Sequence, residues 1–136
     1  MSKSFSPQVT CALRCPYCND ALHLNSSLGE PDVFSCSKGH TFDKAKQGYL
    51  TLLGKKSQQK TADTLDMVLR RARFHEANYY APFAREIALQ MKEEIGTNSA
   101  PLLGDFGAGT GYYAQALIEQ IPQAQCIAID LSKRAL

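Results

Sequence analysis

The residues with the strongest claim to chemistry are Cys15, Cys18, Cys36 and His40. They fall as Cys15-Pro-Tyr-Cys18, seventeen intervening residues, and then Cys36-Ser-Lys-Gly-His40. A C-x2-C turn lets two thiolates converge on one cation at about 2.3 Å, and a neutral imidazole reaches the same ion at about 2.0–2.1 Å. Four protein ligands complete a tetrahedron and leave no position for water, so the spacing predicts a structural zinc ion. A redox role for the C-x2-C pair is the first alternative. It has no thioredoxin-like strand before it and leaves Cys36 and His40 unexplained. In a second alternative Cys11, four residues before Cys15, replaces one ligand. The Pro-containing knuckle has the better geometry. The fifth cysteine, Cys126, lies in an apolar run and reads as a small core residue. An odd cysteine count without a signal peptide argues for metal ligation in a reducing compartment over a disulfide framework.

A second constellation is Asp105-Phe-Gly107-Ala-Gly109-Thr-Gly111. Glycines tolerate positive φ and let the backbone approach a ligand closely. The dinucleotide fingerprint G-x-G-x-x-G requires glycine at position 112, which is Tyr112. The spacing is instead G-x-G-x-G with an acid two residues ahead, which suits a ligand ammonium better than a pyrophosphate. Asp130 follows Gly111 by nineteen residues, at the end of an apolar run. An acid at that place can accept both ribose hydroxyls of a nucleoside. Its other reading is a cap for the following segment, a role better suited to Ser132. Tyr112 and Tyr113 either line the ligand or pack in the ordinary way.

The elements that must position these groups separate on pattern. Residues 11–54 carry short alternating runs, Val33 to Cys36 and Tyr49 to Leu53, that read as small β-hairpins. Residues 55–61 offer nothing to bury and read as a linker. Two helices follow. The first is capped near Asp63, with Leu65, Val68, Leu69 and Ala72 on one stripe, and ends at Asn78. The second has Pro82 in its first turn and Phe83, Ile87, Met91 and Ile95 at every fourth position. From Leu102 a strand, the glycine turn, a helix bearing Ala114, Leu117, Ile118 and Ile121, and a strand Cys126–Ile129 make a β-α-β start. Two parallel strands cannot bury both faces of a doubly wound sheet, so a longer polypeptide is expected.

Composition sets the outer limits. With 44% hydrophobic and 21% charged residues, the 136-residue chain is globular and not disordered. No apolar stretch approaches the roughly 18–20 residues of a membrane span, and the polar first ten residues lack a signal-peptide core. A cytoplasmic protein without membrane contact is therefore expected. Residues 1–60 hold eight Lys/Arg against four acids, so the formal net charge of +2 conceals a basic first segment. Such a segment suits a nucleic-acid partner, with a plain solvated surface as the bland alternative.

The glycine turn with Asp130 resembles the first two motifs of class I S-adenosylmethionine-dependent methyltransferases. The whole chain resembles the amino-terminal half of the 23S ribosomal RNA guanine-N1 methyltransferases. The matching stretches are the two knuckles, the run from Thr41 through Phe42, Asp43, Ala45 and Gly48 to Leu50, and Met67, Arg71, Phe74, Tyr80 and Pro82. His75 and Asn78 stand where Leu and Gly are more usual in that family. The resemblance implies an α/β protein: a β zinc-ribbon over residues 1–54, a linker at 55–61, and a helical connector opening a truncated Rossmann-like domain over 62–136. It implies zinc on Cys15, Cys18, Cys36 and His40. S-adenosylmethionine would lie on Asp105, Gly107, Gly109, Gly111, Tyr112 and Asp130, and RNA phosphates on Arg14, Lys38, Lys44 and Lys46. Methylation of guanine N1 in 23S ribosomal RNA follows as the implied activity, with catalytic groups expected beyond Leu136 and a homodimer left open. Two other functions stay in view: a non-catalytic zinc-dependent nucleic-acid-binding module, and a methyltransferase with another substrate.

Overall fold

The computed structural model describes residues 5–26, 32–54, 63–97 and 99–135. The expected linker at 55–61 lies outside them. The chain divides into two compact units, residues 1–57 and 58–136.

The first unit begins with a short helix, α1 (Pro7–Ala12), that the sequence pattern did not suggest. Pro7 sits in its first turn, and Ser6 caps it by accepting a hydrogen bond from the Val9 N–H at 3.2 Å. Three strands then form an antiparallel meander: β1 (His23–Asn25), β2 (Val33–Ser35) and β3 (Thr41–Asp43). In the register Leu24 faces Phe34, and Phe34 faces Phe42. Phe34 and Phe42 therefore share one face and are both buried, with Leu22, Cys15 and Cys36. Phe5, Leu13, Cys18, Leu50 and Leu52 close around that cluster. The alternating run Tyr49–Leu53 is not a strand; it contributes a single bridge, Leu50 to Lys44. Its apolar side chains pack on the existing sheet without extending it.

The second unit holds α2 (Leu65–Glu76), α3 (Ala81–Ile95), β4 (Leu102–Phe106), α4 (Tyr112–Gln120) and β5 (Gln125–Ile129). Thr64, and not Asp63, caps α2, its hydroxyl accepting from the Met67 N–H at 3.3 Å. Only Val68 of the expected α2 stripe is buried; Leu65 and Leu69 are exposed. Asn78 does take the left-handed conformation, at φ 61°. On α3 the buried positions are Ala84 and Ala88, while Phe83 is exposed. Helix spacing was right, but the buried positions are the small alanines, with Met91 and Ile95 of the expected face partly buried. The core joins Ala88 to Leu117, Ile121 and Ala124, with Met91, Ile95, Leu103 and Ile118 packed around them. Strands β4 and β5 pair in parallel from Leu102 opposite Gln125 to Phe106 opposite Ile129, with α4 as the crossover. This mixed α/β arrangement brings Asp105 and Asp130 to neighbouring strand ends.

Among the described residues no helix is long and apolar enough to cross a membrane.

Candidate metal centre and glycine turn

The first knuckle is built by backbone bonds across residues 15–20. The Cys15 N–H donates to the Asp20 carbonyl and the Asn19 N–H to the Cys15 carbonyl, both at 2.8 Å. Asn19 takes the left-handed conformation at φ 61°, which Asn tolerates better than most residues. The second knuckle repeats the plan. Cys36 N–H bonds the His40 carbonyl at 3.1 Å, Gly39 N–H bonds the Cys36 carbonyl at 3.0 Å, and Gly39 supplies φ 78°. The Ser37 hydroxyl then donates to the Asp20 carboxylate, tying one knuckle to the other. That bond holds the Asp20 carboxyl below its ordinary range.

The four ligand atoms lie within 4.8 Å of one another. Cys18 Sγ is 3.6 Å from Cys36 Sγ, and His40 Nδ1 is 3.5 Å from Cys15 Sγ and 3.3 Å from Cys36 Sγ. A tetrahedral zinc ion places sulfurs about 3.8 Å apart and sulfur and nitrogen about 3.5 Å apart, so the donor set fits that ion. His40 offers Nδ1, a detail the spacing did not specify. Burial alone would raise the Cys36 thiol. The His40 N–H, the Cys18 thiol, the Lys38 N–H and the His40 ring overcome it and bring Cys36 down to about 6. The Asp20 N–H pulls Cys18 down, yet desolvation and the Cys15 and Cys36 sulfurs carry it up to about 11. A cation entering the cage must therefore displace a proton from Cys18.

Cys11 is exposed on α1 and is not in the ligand group, and none of the five cysteines is in a disulfide. Tyr17 covers the site. Its ring lies 5.1 Å from the His40 ring and 6.0 Å from Phe42, and it remains 58% exposed. A Cβ on Gly54 would press on Tyr17 Oη, the tip of an exposed side chain that would have to shift.

The four candidate phosphate contacts differ. Lys38 and Lys46 are exposed. Arg14 is exposed too, with Nη1 donating to the Cys11 and Leu13 carbonyls at 2.8 and 2.9 Å. Lys44 is a correction. Its side chain is only 5% exposed, and Nζ is paired with Asp32 at 2.9 Å and lies 5.5 Å from the Phe5 ring. Its charge is spent inside the unit and does not face a phosphate.

In the second unit, Gly107, Gly109 and Gly111 have φ of 81°, 56° and 77°. The Gly107 and Ala108 N–H groups donate to the Ile129 carbonyl, locking the turn to the end of β5. Asp130 strengthens the lock: Oδ2 accepts from the Gly109 N–H at 2.8 Å and Oδ1 from the Ser132 N–H at 2.7 Å. The capping role is thus made by Asp130 itself, and one lone pair remains on each oxygen for hydroxyls. Asp105 Oδ2 is buried with no hydrogen-bond partner. A Cβ at Gly107 or Gly111 would meet open space. An orphan carboxylate oxygen in a turn with open room suits a ligand carrying an ammonium group.

Tyr112 stacks on His75 with ring centroids 4.2 Å apart, and Tyr113 meets Tyr112 edge-on. Burial, followed by the Arg71 guanidinium, pushes the His75 imidazole below its ordinary value, so it is neutral near pH 7. Sequence reasoning missed two neighbours of the turn. Asp63 leaves the helix cap to bond Arg71, and Arg71 Nη1 lies 3.9 Å from where a Cβ on Gly109 would stand. Their spacing of eight residues carries no motif that would announce the pair.

The zinc-ribbon family model described as "RlmA, N-terminal" matches residues 13–61. A 23S rRNA (guanine(748)-N(1))-methyltransferase of Streptomyces fradiae is 36% identical over 124 residues, 91% of this chain and 42% of the relative. A protein of Micromonospora griseorubida, named "Putative 23S rRNA (guanine-N(1)-)-methyltransferase", is 33% identical over 142 residues, 96% of this chain and 48% of its own length. The chain spans a little under half the length of these curated relatives. The Cys15, Cys18, Cys36 and His40 cage lies within the residues matched by that zinc-ribbon family, and the chain is similar over most of its length to proteins named as 23S rRNA (guanine-N1)-methyltransferases.

Proposed function

We propose that this chain forms the zinc-ribbon and donor-binding parts of an S-adenosylmethionine-dependent enzyme that methylates N1 of a guanine in 23S ribosomal RNA. The observation that carries the proposal is the unpartnered, buried Asp105 Oδ2 in an open glycine turn, in a chain similar to such enzymes over 91% of its length. The β4-α4-β5 unit then reads as the opening of a Rossmann-like sheet, and an rRNA substrate places the work in the cytoplasm.

S-adenosylmethionine, when bound, supplies an electrophilic methyl group on a sulfonium. The chain's own residues bind and orient. Asp105 Oδ2 accepts from the donor's ammonium, and Gly107, Gly109 and Gly111 keep side chains out of the way. Asp130 offers its remaining lone pairs to the ribose hydroxyls while holding the Gly109 and Ser132 N–H groups. Tyr112, steadied by the His75 ring, opens α4 directly after the turn. On the ribbon, Arg14, Lys38 and Lys46 contact phosphates, and exposed Tyr17 offers a ring face to an unstacked base. A guanine must leave its stack before N1 can reach a donor, and positioning supplies most of the rate. No residue of this chain is assigned as the acceptor of the N1 proton.

The test is methyl transfer by the zinc-loaded protein from labelled donor to 23S ribosomal RNA, mapped by primer extension. A new stop at one guanine is expected. Donor binding without any RNA labelling would redirect the reading to another substrate, and RNA binding without donor binding would favour a non-catalytic module.

A further inference from the structure

We infer that Arg71 holds the carboxylate of the donor's amino-acid moiety, while Asp105 takes the ammonium. The inference rests on the proposed reading of the glycine turn as an S-adenosylmethionine site.

The amino-acid end of this donor is a zwitterion, so its site needs an anion and a cation. Asp105 supplies the anion, with Oδ2 buried and lacking a partner. The cation beside the turn is Arg71. Its Nη1 lies 3.9 Å from the position a Cβ on Gly109 would occupy. Glycine at 109, with φ 56°, permits the turn, and the guanidinium lies beside that position.

Arg71 is also held in place. Nη1 donates to Asp63 Oδ2, and Asp63 is free for this because Thr64 caps α2. A guanidinium carries five N–H donors in a planar fork. Among the described residues the Asp63 bond is the one that engages Arg71, so most of that fork is available. The side chain is 46% exposed. By contrast, Arg70 is tied to Asp66 one turn away on an open helix face. A fork of this kind matches a carboxylate in a bidentate pair, which a lysine ammonium does not reproduce.

The experiment is calorimetric binding of two donors, S-adenosylmethionine and its decarboxylated analogue, to the wild type, Arg71→Ala and Arg71→Gln. The analogue keeps the ammonium and sulfonium and lacks only the carboxylate. The wild type should prefer the intact donor by about tenfold or more, the scale of a charge-assisted hydrogen-bond pair. Both variants should lose that preference through weaker binding of the intact donor, with affinity for the analogue unchanged. The ratio of two affinities within one variant does not depend on the fraction folded, and Arg71→Gln retains a good helix former of similar reach. Equal weakening of both donors would overturn the inference, as would a preference that survives in the variants. Should the wild type bind neither donor, the methyltransferase reading falls together with it. Intact donor binding with an unaltered preference in Arg71→Ala sinks the Arg71 assignment alone.

Discussion

In the first unit, two of the four metal ligands, Cys15 and Cys36, belong to the buried cluster with Leu22, Phe34 and Phe42. In the second, the cluster of Ala88, Leu117, Ile121 and Ala124 contains no functional group, and Asp105 and Asp130 sit at strand ends outside it. The ribbon thus has no core separable from its chemistry. Three strands of three residues each bury too little apolar surface to offset the entropy of ordering the chain. The cation closes what the aromatic pair begins. The β-α-β unit instead keeps its aliphatic packing apart from its turn, so the turn can be altered without emptying the core.

Removing zinc should therefore have the largest effect, and only on one side of this contrast. Structural zinc contributes about 10–16 kcal/mol of apparent folding free energy in comparable small modules. Chelation, or Cys36→Ser, should abolish hydrogen-exchange protection in β1–β3 while β4, β5 and α4 keep theirs. Lowering the pH should act in the same direction. The ligands bind as thiolates, Cys18 sits at about 11 in the metal-free cage, and protons compete more strongly as pH falls. Zinc affinity measured by competition should accordingly decline with acidification.

The mirror experiment is Ile121→Ala. Ile121 is fully buried, and truncation of such a side chain costs about 2–5 kcal/mol. Denaturant unfolding should register this in the second unit, with metal content unaltered. Equal loss of ribbon protection would contradict the division.

Asp130→Ala sharpens the contrast at the turn. It removes the acceptor for the Gly109 and Ser132 N–H groups, a loss of about 1–3 kcal/mol. Donor affinity should fall, while the Ala88–Ile121 core, followed by near-ultraviolet and methyl NMR signals, stays intact.

The smallest effects concern the basic ribbon surface. Lys38→Glu with Lys46→Glu should leave stability within about 0.5 kcal/mol, as for most surface changes. RNA affinity should drop and the slope of log affinity against log salt should flatten. Lys44→Met differs in kind. It should cost stability near neutral pH, a cost that fades on acidification, and leave the salt slope alone, because Lys44 holds the Asp32 carboxyl below its ordinary value. The sign follows from that depression: the pair stabilises the fold above the ordinary carboxylate range and ceases to do so as pH falls through the lowered value.

How much of this was legible in the residues depended on the range of the forces involved. The cage could be read because C-x2-C and C-x3-H place ligands by local turn geometry, and the glycine turn because positive φ leaves glycine as the natural choice. The α2 stripe failed because Leu65 and Leu69 have the right spacing but α2 buries only Val68. The α3 face held in part: Met91 and Ile95 pack on the core while Phe83 is exposed, and the buried positions are Ala84 and Ala88, small residues that do not stand out in an apolar pattern. Lys44 looked like a surface cation until its partner at Asp32, twelve residues away, was in view. Helix α1 depends on one capping bond from Ser6, too weak a signal amid polar residues.

The most direct measurement is the zinc content of the purified protein combined with hydrogen exchange of the ribbon. One zinc ion per chain is predicted, absent from Cys36→Ser, with β1–β3 protected only while the ion is present. A ribbon that stays protected without metal, or metal retained after loss of Cys36, would contradict the account.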